Sequence, residues 1–352
     1  MIELSENRIA QLEEFKSLDG DRITYEAVRD LSAVARVSEE WDALLSRSPV
    51  NQAFSSSKWF VAMCRNDASI SPYVILARRG PVLAGVLPLA LSDGGREAAF
   101  PNYLCDYSDI VAPRDDERVI EGLLNHALRN SNGYEKIILS HIRLDSNCLR
   151  AVQAIEPGRE IDELYSQSNV CYYIDLPASY AGYLRAKTSH FRKRLKRLQS
   201  IAHRNNLFVR ELVAENISPD GLPEIFLSLH LDRHGERSCF RSARGRAFIE
   251  EVLPALFRER RIRALALLEG ERVIGIDLYT MGPDSLCAWN GGFLSEAEAC
   301  SPGKLLIDAG IKLAYDLKLG EYDFLRGPEA YKLNLVTGSR AIGRVELSVR
   351  HE

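Results

Sequence analysis

The feature of this 352-residue sequence that most constrains its fold is a pattern that occurs twice, at an offset of 190 residues. Residues 73–91 and 264–281 each hold two apolar runs joined by residues that suit a tight turn. The offset places Gly80 on Gly270 and Gly85 on Gly275. A helix and a further strand follow each pair at nearly the same offset. The pattern predicts two similar α/β lobes that arose by duplication.

The length and the repeat together predict an N-terminal lobe over residues 22–180 and a C-terminal lobe over 181–352. Each lobe is expected to be a mixed central sheet flanked by helices. Residues 1–180 hold 18 Lys and Arg against 27 Asp and Glu, a balance of −9, whereas residues 181–352 hold 27 against 22, a balance of +5. The second lobe is therefore the one suited to an anionic ligand.

Several functional classes find no support in the sequence. No apolar run reaches the ~18 residues of a membrane span, and the acidic start lacks an export signal, so a cytoplasmic protein is expected. The seven cysteines are scattered without metal-binding spacing, which favours reduced, mostly buried thiols and no metal site. The GxSxG, HExxH, GxxxxGK[ST] and GxGxxG motifs are absent, so hydrolase, zinc-peptidase and nucleotide-binding classes have no anchor.

A strongly basic helix is predicted between the lobes, over residues 184–203. Leu184, Phe191 and Leu195 recur at helical spacing, so one face is apolar and should pack on the protein. The other faces suit a polyanionic partner such as tRNA, or they are solvated and neutralised by the acidic first lobe. The cations that would contact tRNA are Arg192, Lys193, Arg194, Lys196 and Arg197.

A second anionic-ligand candidate is the stretch Ser301-Pro302-Gly303-Lys304, which follows a predicted strand and opens a helix. Proline suits a first helical turn, glycine lets a ligand approach the backbone, and the free amides of that turn attract anions. Lys304 adds a positive charge. The alternative is an ordinary Ser-Pro helix start with no ligand.

A hairpin, a strand, a helix with an open amino end and a further strand resemble the GNAT acetyltransferase fold. Over residues 41–349 the chain resembles the CelD/BcsL-like subfamily, which is related to the FemAB-type aminoacyltransferases with two GNAT lobes. The fragments that carry the resemblance are VLPLAL, LCDYSDIVAP, KTSHFRKRLKRL, FLSLHLDR, SPGKLL and YDFLRGPEAYK.

The resemblance implies transfer of an acyl group to an amine or hydroxyl, with acetyl as the favoured group. It also implies that no metal, tightly bound cofactor or covalent intermediate takes part. The co-substrate is expected to be acyl-CoA and the acceptor to belong to cell-surface polysaccharide or peptidoglycan-type biosynthesis. The usual motif Q/R-x-x-G-x-G/A is replaced by residues 298–304, with one glycine and a proline. An aminoacyl-tRNA donor therefore stays open, as does a non-catalytic module that binds an anionic ligand.

Direct transfer needs a base and donors for the developing oxyanion. Asp323 is a candidate base, although an ion pair with Arg326 is an equal alternative. Tyr331 is a candidate proton donor, and Lys332 is a candidate for stabilising charge on the carbonyl. His230, in a helix where related sequences often show a Trp in place of the nearby His234, is either a base or a packed core residue.

Acceptor binding is assigned to residues expected at the cleft between the lobes. Asp106, Tyr107 and Asp109 form an acidic cluster that would bind an amine, or they are turn residues that satisfy their own backbone. The remaining candidates at this cleft are Trp289, Asn290 and Arg326. The alternative for the tryptophan is a place in the core.

Overall fold

The computed structural model describes residues 22–131, 133–155 and 163–349. In its first half, apolar runs such as residues 73–77 form strands whose two faces are both covered, so their side chains are fully buried. The strands of this half are β1 (Ile23–Val28), β2 (Ser71–Arg79), β3 (Val82–Ser92), β4 (Glu97–Ala99) and β5 (Lys136–Arg143). Its helices are α1 (Leu31–Arg36), α2 (Ser38–Leu45), α3 (Ser57–Arg65), α4 (Glu117–Arg129) and α5 (Asn147–Gln153).

The second half repeats this alternation of strands and helices. Its strands are β6 (Glu163–Asp175), β7 (Leu207–Leu212), β8 (Ile262–Glu269), β9 (Arg272–Met281), β10 (Ser285–Phe293), β11 (Glu321–Arg326) and β12 (Gly338–Ser348). Its helices are α6 (Tyr180–Ala186), α7 (Ser189–Arg204), α8 (Leu222–His234), α9 (Ala243–Arg258) and α10 (Pro302–Asp316).

The twelve strands found in the described ranges form one mixed sheet in the order β1-β2-β3-β4-β5-β12-β6-β11-β10-β9-β8-β7. Strand β12, from the end of the chain, pairs with β5 of the first half, and β6 pairs with both β12 and β11. The halves therefore share a continuous sheet at their junction. The predicted α/β class is confirmed, and the division between residues 180 and 181 stays a prediction.

The two hairpins predicted from the repeat are present at the predicted offset. Strands β2 and β3 pair about Gly80, and β8 and β9 pair about Gly270. Both glycines have left-handed backbone, with φ of 55° and 59°, which residues with a side chain adopt at a cost. The repeated glycine therefore marks the same turn in each half.

The basic helix predicted over residues 184–203 is wrong in its bounds, because two helices occupy this region. Lys187 has extended backbone and ends α6. The side chain of Thr188 then accepts a hydrogen bond from the amide of Phe191 and caps the start of α7. The cations therefore lie on a separate helix of 16 residues.

A core of large aromatic side chains joins the halves behind the sheet. Trp59 of α3 packs edge-on against Trp289 of β10 and Phe248 of α9, with ring centroids 5.1 Å apart in both pairs. Asn51 also donates a hydrogen bond to the Thr280 hydroxyl at 3.0 Å. These contacts fix β9 and β10, the strands that carry the site, against the first half.

The cysteines behave as expected, because five of the seven are buried free thiols. The buried ones are Cys64, Cys105, Cys148, Cys171 and Cys287. As for membrane spans, no helix in the described residues has the length and apolarity to cross a bilayer.

Candidate active site

Strands β10 and β11 run parallel but stay paired only at their beginnings. Residues 285–287 pair with residues 321–323, and β10 then continues to Phe293 without β11 beside it. The gap between the diverging strands forms the β10–β11 cavity, with a volume of about 460 Å³. Its walls come from Asp277 of β9, Asn290 and Phe293 of β10, Phe324 of β11, His234 of α8 and the start of α10.

The start of α10, which closes one end of this cavity, is left open by its own chain. Ser301 has left-handed backbone (φ 56°, ψ 55°), and its side chain caps no amide of the helix. Pro302 has no N–H, and the Gly303 amide donates no hydrogen bond within the described part of the chain. A Cβ on Gly303 would meet only Phe293, at 3.7 Å, so the space beside it is open. Exposed Lys304 lines the same space, as an anion site requires.

Strand β10 carries a bulge at the centre of the cavity wall. Its register with β9 skips Trp289, because Ala288 pairs with Tyr279 and Asn290 pairs with Leu278. The indole of Trp289 points into the core between the halves and donates a hydrogen bond to the Leu104 carbonyl at 3.0 Å. The bulge thus places Trp289 mainly in the core and Asn290 in the cavity wall.

His230 lies behind Asn290 and does not line the cavity. Its Nε2 is 3.3 Å from Asn290 Oδ1, and its Nδ1 is 3.0 Å from the Ser238 hydroxyl. Burial and the neighbouring His234 ring, 4.3 Å away between centroids, lower the pKa of His230 to about 4. A neutral imidazole that donates from Nε2 would hold the Asn290 carbonyl oxygen toward α8 and leave the Asn290 amide nitrogen free.

His234, one turn further along α8, does line the cavity. Its Nε2 is 3.2 Å from the Gly291 carbonyl oxygen, and burial lowers its pKa. The close approach of α8 to β10 depends on Gly292, where a Cβ would lie 2.4 Å from the His230 backbone nitrogen. Glycine at this position therefore brings both histidines against the strand.

Asp277, a carboxylate in the apolar strand β9, faces the cavity and was not predicted from the sequence. It is opposite Gly291, where a Cβ would lie 2.0 Å from Asp277 Oδ1. The Tyr279 hydroxyl donates to Oδ2 at 3.3 Å. Burial raises the pKa of Asp277 to about 7, which suits a general base at neutral pH. The available sequence signal was a single carboxylate within the apolar run VIGIDLYTM.

Two candidate pairs from different lobes meet at the junction of the halves. Asp323 is fully buried, and its oxygens accept hydrogen bonds from the Tyr107 hydroxyl and the Leu325 amide, both at 2.7 Å. Arg326 pairs with Asp106 instead. The alternative of an Asp323–Arg326 ion pair is therefore wrong, and these four side chains connect the lobes outside the cavity.

Lys332 is fixed in the loop that follows β11. Its buried ammonium donates to the carbonyl oxygens of Phe324, Arg326 and Gly327, each at 3.2 Å, and pairs with Glu329 at 2.8 Å. These partners use its donors, so the group holds the loop and does not face the cavity. Its neighbour Tyr331 is 48% exposed and lines the cavity.

Asp109 holds the start of α5. Its oxygens accept from the amides of Ile110 at 2.8 Å, Asn147 at 3.1 Å and Cys148 at 2.7 Å. Burial raises the pKa of Asp109 to about 7. The structure therefore separates the three candidates of the acidic cluster: Asp106 and Tyr107 face the second half, and Asp109 stays within the first.

The predicted site residues thus fall into two groups. Those that the structure brings to the β10–β11 cavity are Trp289, Asn290, Ser301, Pro302, Gly303, Lys304 and Tyr331. Those that it places outside are Asp106, Tyr107, Asp109, His230, Asp323, Arg326 and Lys332. The roles assigned to both groups stay predictions.

The cations of α7 form no ion pair with the described residues of the first half. Arg192 turns back onto backbone carbonyls around Lys187, whereas Lys193 and Lys196 are exposed. Arg194 and Arg197 line a groove between α7 and α10. These four exposed cations take part in no ion pair within the described residues, and their neutralisation by the charge of the acidic first lobe stays a prediction.

Comparison with known proteins finds a family similarity in the second half. Residues 185–333 match the family model of the acetyltransferase (GNAT) domain. The helix start, the diverging strands and the cavity described above all lie in this segment. This segment of the chain is therefore similar to the GNAT domain.

Solved structures extend the likeness to the whole fold. FemX is 13% identical over 88% of this chain and 95% of its own, with a TM-score of 0.61. The C-terminal domain of a putative lysylphosphatidylglycerol synthetase from Agrobacterium fabrum is 12% identical over 90% and 93%, with a TM-score of 0.61. L-PGS from Bacillus licheniformis is 11% identical over 89% and 92%, with a TM-score of 0.60. No curated protein sequence matches the chain.

Proposed function

We propose that this chain is an acyltransferase that moves an acyl group from acyl-CoA to an amine or hydroxyl of an acceptor. The acyl group that we favour is acetyl. The observation that carries the proposal is the β10–β11 cavity, which ends on the uncapped start of α10 beside Lys304. A thioester with a pyrophosphate fits this arrangement. Its phosphates bind the Gly303 amide and Lys304, and its uncharged arm lies along the β10 backbone that β11 leaves unpaired.

Asp277 is the base in this proposal. The acceptor nitrogen or oxygen attacks the thioester carbonyl carbon, its proton passes to Asp277, and the tetrahedral oxyanion that forms then collapses and breaks the C–S bond. A carboxylate with a pKa of about 7 is largely ionised just above neutrality and still basic enough to take the proton.

Besides a base, the reaction needs a hydrogen-bond donor for the oxyanion and a proton donor for the leaving thiolate, and we assign these roles to Asn290 and Tyr331. The Asn290 amide nitrogen, left free by the contact of Oδ1 with His230, donates to the developing oxyanion. The exposed Tyr331 phenol donates its proton to the departing thiolate; solvent then reprotonates Tyr331, and Asp277 releases the acceptor's proton to solvent. The roles first assigned to His230 and Lys332 thereby become positional, since His230 orients Asn290 and Lys332 holds the loop that carries Tyr331.

Calorimetric titration with acetyl-CoA and free CoA tests donor binding. The double variant Gly303→Trp, Lys304→Glu fills the open space and reverses the charge at the helix start. We expect binding by the native chain and a loss of about 100-fold or more in this variant, because anion recognition there depends on the Gly303 amide, the helix dipole and one cation.

The matched control is Lys196→Glu, which makes the same charge change on an exposed lysine that lines neither the cavity nor the groove. It should bind acetyl-CoA as the native chain does. Equal losses in both variants would reduce the effect to net charge and remove the proposed phosphate site.

A second candidate function is aminoacyl transfer from aminoacyl-tRNA. The observation that favours it is the cationic face of α7, which has no ion pair within the described ranges and where Arg194 and Arg197 line a groove that meets the cavity at Lys304. Several phosphate contacts are screened together, so tRNA affinity should fall steeply with salt, whereas acyl-CoA affinity should fall weakly. Binding of neither donor would favour a non-catalytic module for an anionic ligand.

We also propose that the chain is a member of the CelD/BcsL-like subfamily and acts in the cytoplasm. Its acceptor would be a precursor of cell-surface polysaccharide or peptidoglycan. Its support is the set of fragments shared with that subfamily, from VLPLAL to YDFLRGPEAYK. Mass spectrometry of products formed from labelled acetyl-CoA and an extract of such precursors would identify the acceptor. Labelling of other metabolites alone would remove this extension.

A further inference from the structure

A groove of about 430 Å³ lies between α7 and α10, on the far side of Lys304 from the β10–β11 cavity. One wall is the apolar face of α7, and the other is the side of α10 that carries Ile307 and Ile311. Ser301, Lys304 and Tyr331 line both spaces, so the groove and the cavity meet there. We call this space the α7–α10 groove.

The apolar face of α7 stays half-buried because it does not close against α10. Phe191, Leu195, Leu198 and Ile201 line the groove and keep part of their surface accessible. Protein interiors leave few voids larger than a water molecule, and this space is far larger. Apolar walls of this extent gain free energy when an apolar ligand covers them.

The charges at the groove divide it into two ends. Arg194 and Arg197 line it as exposed cations with no ion pair in the described residues, and Lys304 stands where it meets the cavity. Asp308 is already engaged, since it accepts from Tyr180 and pairs with Lys312. An apolar channel with a cationic rim is complementary to an aliphatic chain that carries an anionic group.

We propose that the α7–α10 groove binds the aliphatic chain of an anionic amphiphile and, resting on the proposed function, that this amphiphile is the acyl acceptor. Its anionic group would contact Arg194 and Arg197, and its nucleophile would enter the cavity past Tyr331. A nucleotide suits the inner wall less well, because base edges need hydrogen-bonding partners and that wall is mainly aliphatic and aromatic.

The test is a titration of the full chain with hexyl, octyl and decyl phosphate below their micelle-forming concentrations. We expect affinity to rise about fourfold for each added methylene while the chain is being buried. Decyl maltoside, which has the same chain and no charge, should bind more weakly. Affinity that does not depend on chain length would overturn the proposal.

Two pairs of substitutions on the same helix separate the rim from general charge. Arg194→Gln with Arg197→Gln should weaken decyl phosphate about tenfold. Lys193→Gln with Lys196→Gln removes equal charge from positions outside the groove and should change nothing. Equal losses in the two double variants would overturn the assignment of the rim.

Filling the groove tests the apolar wall without touching the charges. Leu198→Trp should abolish the gain from octyl to decyl phosphate while acetyl-CoA binding and the thermal unfolding midpoint stay native, which shows that the variant is folded. Leu198→Met, of similar volume, is the control and should bind decyl phosphate normally. Retention of the chain-length gain in the tryptophan variant would contradict the groove as the binding site.

Competition separates this inference from the proposed function. Acetyl-CoA and decyl phosphate should bind together, one of each per chain. Displacement of decyl phosphate by acetyl-CoA, or by tRNA at low salt, would assign the groove to the donor and overturn the proposal. Binding of decyl phosphate without any acetyl-CoA binding would leave the groove standing and remove the acyl-CoA function.

Discussion

The start of α4 in the first half and the start of α10 in the second occupy corresponding places in the repeat. A side chain caps α4, whereas no side chain within the described residues caps α10. At α4, Asp116 caps the helix by accepting from the Val119 amide, and Arg79 pairs with the same carboxylate at 2.7 and 2.8 Å. At α10, Ser301 caps nothing and Gly303 has open space beside it. A carboxylate fills the anion position of one helix, and the other is left free for a ligand.

The strands that pack against these helices, β3 and β9, also differ: β3 contacts its helix more tightly, and β9 carries a carboxylate. A Cβ on Gly85 of β3 would lie 2.4 Å from Val119 of α4, whereas on Gly275 of β9 it would lie 3.3 Å from Leu306 of α10. Two residues beyond each glycine, the first half has buried Leu87 and the second has Asp277. The same framework occurs in both halves, and the second half combines it with an open helix end and a carboxylate in the cavity.

The largest expected effect comes from removing the carboxylate that the first half lacks. Asp277→Asn should lower kcat about 100-fold to 10,000-fold, because the carboxamide has nearly the same shape and accepts no proton. Burial raises the pKa of Asp277 to about 7, so native activity should fall as pH drops below 7 and level off above it. Steady-state rates across pH check this, and an unchanged inflection in the variant would remove Asp277 as the base.

The next effect comes from giving α10 the kind of cap that α4 has. Ser301→Asp places a carboxylate at the helix start, and aspartate tolerates the left-handed backbone there. Acetyl-CoA affinity should fall about 30-fold, corresponding to about 2 kcal/mol for a charge at a helix end. Calorimetry measures it.

Ser301→Asn is the matched control for the exchanged cap. It has nearly the same size and no charge, so it should lose much less affinity than the aspartate variant. If both variants bind equally, the ligand does not place an anion at this helix start, and the contrast between α4 and α10 has no functional meaning.

A smaller effect on catalysis is expected from a substitution at His230, which lies in the second half. His230→Leu removes the contact with Asn290 Oδ1, so the amide that serves the oxyanion is no longer oriented. We expect kcat to fall about tenfold with little change in the KM for acetyl-CoA, since orientation matters in the transition state. A loss confined to KM would instead indicate a role in donor binding.

The smallest effect on catalysis is expected in the first half. Asp109→Ala leaves the amides of Asn147 and Cys148 without their acceptor and should lower the free energy of unfolding by about 1–3 kcal/mol. Acetyl-CoA affinity and kcat at 20 °C should stay native. Chemical denaturation and activity assays compare the two quantities, and a loss of activity in a folded variant would give the first half a direct part in the reaction.

Features that depend on nearby residues could be predicted from the sequence. The hairpins at Gly80 and Gly270 follow from apolar runs flanking a turn, and the open start of α10 follows from consecutive Ser, Pro and Gly. Trp289 in the core was an alternative drawn from residue type alone, and its side chain does lie mainly there.

Features that depend on distant residues could not be predicted. Tyr107 and Asp323 are 216 residues apart in sequence, and their hydrogen bond exists because β12 and β6 join the halves in one sheet. The place of Asp277 in the cavity wall could be recognised only from the pairing of β9 with β10, which sets Gly291 opposite it. The pairing of strands sets these neighbours, and no spacing within the chain encodes it.

The most direct test of the account is the stoichiometry of acetyl-CoA binding to the full chain, measured by calorimetry at two salt concentrations. Two similar halves of which only the second has an open helix start predict one acetyl-CoA per chain, bound with little dependence on salt. Two molecules per chain would show that the closed start of α4 does not exclude the ligand. No binding at either salt concentration would contradict the acyl-CoA site itself.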